Sequence, residues 1–175
     1  MAEKEKLLEL KNVVYSFHTY GGEVKAVRDV SFEVRKGEIL GIVGESGCGK
    51  SVTAQCIMRL NPEPPGFFEG GEILFNGKDV LKMDKKELRQ LRGGDIGFVF
   101  QDPMTSLNPT MRVGAQIEEV FIGRAGVSKK EVKEKALEIM KLVGISDVEK
   151  RYRQYPHELS GGMKQRVMIA IALVS

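Results

Sequence analysis

The sequence predicts an α/β domain in which an antiparallel β lobe leads into a strand–loop–helix unit and then into a helical insertion. Apolar and polar residues alternate near the start, as at Val30, Phe32 and Val34, which is typical of half-buried strands. The continuous apolar run of residues 39–43 leads directly into a glycine-rich loop. Because this run has no polar side, it predicts a strand buried on both faces.

Three further segments extend the predicted sheets. Apolar residues between positions 8 and 14 predict the first strand, and residues 73–75 followed by Asn76-Gly77 predict a hairpin. Residues 96–100 form a second apolar run, for which we also expect a strand buried on both faces.

Capping patterns mark where the helices begin. Asp84 with Glu87, and Ser128 with Glu131, have the spacing of a capping box, and Ser160 precedes a last apolar helix. A proline-rich segment stops the first helix. The predicted helices cover residues 51–60, 84–93, 128–144 and 160–175.

The composition is that of an ordinary folded domain. The chain has 175 residues, of which 42% are hydrophobic and 29% charged, and its formal net charge is +3. These values argue against disorder and do not favour nucleic-acid binding. No apolar run is long enough to span a membrane, and the charged N-terminus does not resemble a signal peptide, so we expect a cytosolic location. Cys48, Cys56, His18 and His157 fit no pattern typical of zinc sites or disulfide frameworks.

The glycine-rich loop carries the strongest chemical signal. Its glycines allow positive φ angles and close approach, so that successive backbone N–H groups can surround phosphate oxygens. We expect Lys50 to bridge the β- and γ-phosphates, Ser51 to bind Mg²⁺ through its hydroxyl, and the Val52 N–H to serve the α-phosphate. The motif predicts nucleoside triphosphate binding without choosing among the enzymes that use it. The residues that match G-x-x-x-x-G-K-[ST] are Gly44, Glu45, Ser46, Gly47, Cys48, Gly49, Lys50 and Ser51.

Two later segments bear on the same phosphates. Asp102 follows an apolar run and could be mistaken for the acid that holds Mg²⁺, but Pro103 after it indicates a turn. Ser160 can cap a helix whose first residues, Gly161 and Gly162, leave their N–H groups uncovered. Such a helix start can bind an anion, although an ordinary capped helix would have the same sequence.

Taken together, these residues resemble the ABC ATPases. Residues 159–166 are similar to the signature sequence of that family and Gln101 to its Q-loop glutamine, and the order of loop, glutamine and signature also matches. Residues 19–27, 100–109 and 155–158 are similar to the ATP-binding subunits of dipeptide and oligopeptide importers. The resemblance implies a P-loop NTPase fold of the ABC ATPase type, with an N-terminal antiparallel β lobe, a helical insertion and a truncated core.

The resemblance also implies a division of the chain and a set of ligands. The lobe and phosphate-binding core would occupy residues 1–101, and the helical subdomain and signature residues 102–175. The ligands would be ATP and Mg²⁺, with Gln101 contacting the metal and the γ-phosphate. Phe17, or as second choice Tyr20, would stack on the adenine.

Several partners follow from the same resemblance. A second nucleotide-binding subunit, identical or different, would pair head to tail, so that Ser160 and the two glycines after it face the γ-phosphate of ATP held across the interface. Permease subunits and an external solute-binding protein would complete the complex at the cytoplasmic face of the membrane. The segment 101–122, which includes Met104 and Leu107, is rich in Met, Pro and Leu, and we expect it to dock onto the permease.

The family pattern continues beyond this sequence. It includes a strand that ends in Asp-Glu, which organise Mg²⁺ and polarise the attacking water, and a later histidine. None of these is present up to Ser175. We therefore expect the chain to be a fragment of an ATP hydrolase that binds ATP but barely hydrolyses it.

Other functions stay open at this point. The same kind of complex could import nickel or another small solute. A soluble ABC ATPase of nucleic-acid repair or translation would need a coiled-coil insertion or tandem domains, neither of which is seen. A regulatory nucleotide-binding module without turnover is a further alternative. The leading prediction is ATP-driven import of di- and oligopeptides.

Overall fold

The computed structural model describes residues 5–121 and 128–174, apart from the side chains of Pro103 and Met104. The chain divides into two compact units, Met1–Leu88 and Arg89–Ser175. The first unit contains the β-sheet and the glycine-rich loop, and the second is mainly helical. The functional division after residue 101, which we predict from motifs, stays a prediction.

The first unit is built on a four-stranded antiparallel sheet with strand order β2-β1-β3-β4. Asn76 and Gly77 form the tight turn before β4, and both adopt positive φ angles, 49° and 75°. The predicted antiparallel lobe and its hairpin are therefore confirmed. The strands are β1 (Lys6–Thr19), β2 (Gly22–Arg35), β3 (Gly66–Phe75) and β4 (Lys78–Asp79).

Tyr15 belongs to the core of the first unit and forms an aromatic cluster with two neighbouring rings. The ring of Tyr15 is fully buried and makes edge contacts with Phe17 and Phe68, at centroid distances of 5.2 and 4.7 Å. Its hydroxyl donates to the Pro62 carbonyl, and burial, followed by the nearby charge of Glu63, raises the pKa of Tyr15 to about 12. Because the phenol stays neutral, it can donate this hydrogen bond from within the core.

One helix follows the glycine-rich loop in the first unit. Helix α1 (Lys50–Ile57) ends earlier than predicted, because Arg59 adopts a left-handed conformation with φ 50°. Cys56 is buried in it, and burial raises the pKa of its thiol to about 12. Cys56 therefore acts as a small apolar core residue.

The remaining helices pack mostly within the second unit. Their shared core includes Val113, Ile117, Ala136, Met140 and Val167. Both predicted capping boxes are confirmed, since the paired side chains and backbone N–H groups bond reciprocally at both helix starts. The helices are α2 (Lys85–Gln90), α3 (Pro103–Ser106), α4 (Val113–Glu119), α5 (Lys129–Leu142), α6 (Val148–Tyr152) and α7 (Gly161–Val174).

The prediction of two strands buried on both faces is wrong. Residues 39–43 and 96–100 form no strand, and Ile39 and Val43 are 98% and 95% exposed. A strand of this kind needs hydrogen-bonded neighbours on both sides. Within residues 5–121 and 128–174, the only sheet is the antiparallel one, and no strand of it pairs with either segment.

Two features are absent from the residues that the structure describes. No helix in residues 5–121 or 128–174 is long and apolar enough to cross a bilayer. In the same ranges, no three His, Cys, Asp or Glu side chains come together in a group that could hold a metal ion.

Candidate functional site

Backbone geometry shapes the glycine-rich loop. Gly47 and Gly49 adopt φ angles of 82° and 93°, a region that favours glycine. A Cβ on residue 49 would lie 2.3 Å from the Ala26 carbonyl oxygen on β2, and one on Gly44 would lie 2.8 Å from the Cys48 Sγ. Gly49 is therefore required both for its φ angle and for its close approach to β2, and Gly47 is required for its φ angle.

The ammonium group of Lys50 is held by the loop itself. It donates to the carbonyl oxygens of Gly44 at 2.7 Å and Glu45 at 2.6 Å, and it lies 3.4 Å from the Cys48 Sγ. These contacts fix the end of a long side chain over the loop. The structure therefore places a positive charge at the glycine-rich loop, and its binding to phosphate stays a prediction.

Several backbone donors of the loop and the first turn of α1 are uncommitted. Among the residues that the structure describes, no acceptor bonds the N–H groups of Gly47, Gly49, Lys50, Ser51 or Val52. The adjacent Gly49 carbonyl accepts from both the N–H and the hydroxyl of Thr53, which anchors the start of α1. Free N–H groups, a helix N-terminus and a fixed ammonium together suit a chain of phosphate groups.

The side chains around these donors are mostly open. Glu45, Ser46, Cys48 and Ser51 are all exposed. Ser51 Oγ makes no hydrogen bond within the described part of the chain, and it is the kind of oxygen ligand that Mg²⁺ prefers. The donor set at the start of α1 therefore fits both a polyphosphate and its magnesium ion.

Phe17 lies on the strand pair that contacts the loop. It pairs with Val24 of β2 and Gly66 of β3, is half-buried, and packs its ring on the edge of Tyr15. Ala26, which Gly49 approaches, lies two positions after Val24 on the same strand. Tyr20 is fully exposed in the turn between β1 and β2. The choice of Phe17 over Tyr20 stays a prediction.

The predicted signature lies in the second unit. Ser160 Oγ accepts a hydrogen bond from the Met163 N–H, which confirms it as the cap of α7. Gly161 and Gly162 are exposed, and a Cβ on either would meet no atom within 4 Å. The buried side of α7 includes Val167, so the helix is fixed in the core while its first turn stays open.

Gln101 also belongs to the second unit. It is exposed at a bend directly before α3. The side chain of the next residue, Asp102, accepts a hydrogen bond from the Thr105 hydroxyl, which is typical of an acid that begins a helical turn. This position agrees with the turn that we predict at Asp102.

Sequence reasoning missed two residues of the first unit. Thr53 anchors the loop through its hydroxyl, and the Ala26 carbonyl lies against Gly49. A threonine one turn into the helix is a local signal that could have been used. Ala26 carries no such signal, because its role depends on a contact between segments distant in the sequence.

Comparison with known proteins identifies the family. A sequence profile described as "ABC transporter" matches residues 27–175. The chain belongs to this family. It is 57% identical to the oligopeptide transport ATP-binding protein OppD of Bacillus subtilis, an alignment covering 100% of this chain and 49% of the relative. It is 52% identical to the dipeptide transport ATP-binding protein DppD of the same organism, covering 97% and 51%. The chain thus spans about half the length of these relatives.

Solved structures agree with this membership of the ABC transporter family. The ATP-binding cassette MJ0796, in a dimeric post-hydrolysis state bound to ADP and Pi, matches with a TM-score of 0.85 and 30% identity. The match covers 96% of this chain and 69% of that one. A second dimeric structure of the same cassette matches with a TM-score of 0.84. The ABC ATPase fold predicted from the sequence is therefore confirmed.

Proposed function

We propose that this chain is the ATP-binding part of a transporter subunit that powers the import of di- and oligopeptides. The observation that carries the proposal is the set of free N–H groups around Lys50, whose ammonium the loop carbonyls already hold. The names of the peptide-transport relatives support the choice of cargo. ADP and Pi in the related cassette support adenine nucleotide as the ligand.

In this proposal, Lys50 and the free N–H groups bind the phosphates, while Ser51 and Gln101 hold Mg²⁺. When bound, the ion neutralises charge on the β- and γ-phosphates. Phe17 stacks on the adenine, with Tyr20 as the alternative. The exposed hydroxyl of Ser51 and the exposed position of Gln101 leave both available for this role.

We further propose that two such subunits pair head to tail. The open first turn of α7 at Ser160, Gly161 and Gly162 then faces the γ-phosphate of ATP bound to the other subunit. The support is the exposure of these three residues and the dimeric state of the related cassette. The second subunit is a copy of this one or a relative of it.

Permease subunits and an external solute-binding protein complete the proposed complex at the cytoplasmic face of the membrane. The structure corrects one part of the predicted docking segment. Leu107 is only 3% exposed and belongs to the helical core, so it cannot contact a permease. The Met104 side chain and Ile122 lie outside the described residues. The docking proposal is therefore carried by the exposed residues of the described part of this segment, from Gln101 to Phe121.

Hydrolysis is a separate proposal. We expect residues 1–175 to bind ATP and to release phosphate slowly, because none of their acidic residues is assigned the role of orienting the attacking water. An acid in that role contributes about 100- to 10,000-fold to a rate. The Asp102 carboxylate is engaged by Thr105 and begins a helix. Comparable turnover by residues 1–175 and by a full-length OppD-type protein would contradict this expectation.

Complementation tests the choice of cargo. A full-length protein containing these residues is expressed in a bacterium that lacks its oligopeptide transport ATP-binding subunit, and uptake of labelled trialanine and of nickel is measured. Restored trialanine uptake that is lost in a Lys50→Ala variant supports the proposal. Restored nickel uptake without trialanine uptake would reject peptides as the cargo.

A further inference from the structure

An exposed cluster in the second unit combines a guanidinium, a phenol and an imidazole. The Cζ atom of Arg112 lies 5.8 Å from the centroid of the Tyr155 ring. The Tyr155 and His157 rings are nearly parallel, with an interplanar angle of 10° and centroids 5.7 Å apart. Arg112 and His157 are exposed, and Tyr155 is half-buried between the core and the surface. We call these three residues the Arg112 cluster.

The backbone beneath the Arg112 cluster is fixed on both sides. The Val113 N–H donates to the Gln154 carbonyl at 2.9 Å, which joins the start of α4 to the segment that carries Tyr155. The Gln116 side chain donates to the Met111 carbonyl at 2.9 Å. These hydrogen bonds join the two segments that carry the three side chains.

Arg112 has a stacking partner but no charge partner. Within residues 5–121 and 128–174, no carboxylate pairs with its guanidinium and no acceptor bonds its N–H groups. Glu158 accepts a hydrogen bond from the Tyr155 N–H at 2.7 Å, but among the described residues its carboxylate makes no ion pair with Arg112. A guanidinium that is held by stacking loses less entropy when it binds, and its N–H edge stays free.

We propose that the Arg112 cluster is a docking site for a carboxylate side chain of the permease subunit. The planar edge of one guanidinium matches the two oxygens of a carboxylate, and the aromatic faces can cover the carbon atoms that carry it. A phosphate group would draw on several cations or on a nest of N–H groups, and this cluster offers one guanidinium. Only the identity of the partner, the permease, rests on the function proposed above.

The position of the cluster gives such contact a consequence. Arg112 lies in the segment proposed to dock onto the permease, and His157 lies three residues before the Ser160 cap of α7. A carboxylate that bound to the cluster would therefore contact the segment that leads directly into the signature helix.

The histidines provide the test. The chain has only two, His157 in the cluster and His18 in the other unit. The imidazole C–H resonances of the purified protein are recorded by NMR while N-acetyl-Glu-Glu-Glu-amide is added at constant ionic strength. N-acetyl-Gln-Gln-Gln-amide and inorganic phosphate are the comparison probes. We expect a saturable shift of His157 with the Glu peptide only, while His18 does not move.

Variants connect the shift to Arg112. Arg112→Gln should weaken binding of the Glu peptide at least about tenfold, the loss of roughly one charged hydrogen bond. Arg112→Lys should weaken it by a smaller factor because the planar fork is lost. Arg153→Gln, which removes another exposed arginine of this unit, should leave it unchanged.

Three results would overturn the proposal: no shift of His157 with the Glu peptide, equal binding by Arg112→Gln, or tighter binding of phosphate than of the peptide. ATP binding is measured by calorimetry on the same samples. A protein that binds ATP but not the Glu peptide would reject the Arg112 cluster alone, whereas a protein that fails to bind ATP would reject the proposed function.

Discussion

The ammonium nitrogen of Lys50 lies 2.7 Å from the carbonyl oxygen of Gly44, six residues earlier in the same loop. A second bond, to the Glu45 carbonyl, holds the same group. A free lysine side chain carries about 2 kcal/mol of rotamer entropy. Because the loop has already restricted this side chain, less of that entropy would be lost on the proposed binding of phosphate oxygens to the ammonium.

Replacing Lys50 tests this arrangement directly. Lys50→Ala removes the charge that faces the phosphates, so we expect ATP affinity to fall by about 10- to 150-fold, the range for one hydrogen bond to a charged group. Calorimetric titration with Mg-ATP measures the change. Lys86→Ala, at an exposed lysine of α2, is the control and should bind like the unmodified protein. Equal affinity in the Lys50 and Lys86 variants would reject the assignment.

Gly49→Ala tests the contact between the loop and β2. The added Cβ would lie 2.3 Å from the Ala26 carbonyl at a φ angle of 93°, so backbone must move. We expect a loss of about 1–3 kcal/mol in unfolding free energy, or about 2–4 °C in Tm for each kcal/mol, and weaker ATP binding. Gly41→Ala, where a Cβ meets nothing within 4 Å, is the matched control. A normal Tm for Gly49→Ala would show that this contact is absent in solution.

The two cysteines allow a footprint of the loop. Cys48 is exposed and Cys56 is buried. We expect iodoacetamide to modify Cys48 first, and Mg-ATP to slow that reaction because the bound phosphates cover the loop. Mass spectrometry of digested samples gives both rates, with Cys56 as the internal reference. If Mg-ATP leaves the rate at Cys48 unchanged, the phosphates do not bind against this part of the loop.

The capping box of α5 gives a prediction for stability and pH. Ser128→Ala removes the cap and should cost about 1 kcal/mol in unfolding free energy. Hydrogen bonds from the Ser128 N–H and hydroxyl hold the pKa of Glu131 below its ordinary value. The folded protein therefore binds this proton less readily than the unfolded chain. The stabilisation is complete above the ordinary carboxyl pKa and is lost as pH falls through the lowered one.

Denaturant titrations across this acidic range check the sign. Glu131→Gln should reduce the dependence of stability on pH, while Glu138→Gln, at an exposed position of the same helix, should not. An unchanged pH dependence in Glu131→Gln would show that the carboxylate does not cap the helix in solution.

Local patterns in the sequence predicted the features whose hydrogen bonds are also local. The Asn76-Gly77 turn, the Ser128–Glu131 box and the Ser160 cap each depend on residues within a few positions of one another. The glycine-rich loop is also held by local hydrogen bonds, since Lys50 bonds to carbonyls five and six residues away. Such interactions depend little on the rest of the fold.

Burial was predicted less well because it depends on distant segments. The apolar residues 39–43 favour burial, but a buried strand also requires neighbouring strands that pair with it. Leu107 shows the reverse error, because a segment rich in Pro and Met looked like surface while this leucine packs in the helical core. The Gly49–Ala26 contact could not be predicted for the same reason, since it joins two segments that no local pattern connects.

The pairing of β1 with β2 fixes a distance within the first unit. Phe17 lies opposite Val24 of β2. Two positions further along β2, the Ala26 carbonyl contacts the glycine-rich loop at Gly49. If Phe17 stacks on the base, residues 24–26 of β2 fix the distance between the adenine site and the phosphate site. A longer or shorter nucleotide analogue could then not contact both the adenine site and the phosphate site. Inserting a methylene between ribose and the phosphate chain should therefore weaken binding more than replacing adenine with another purine.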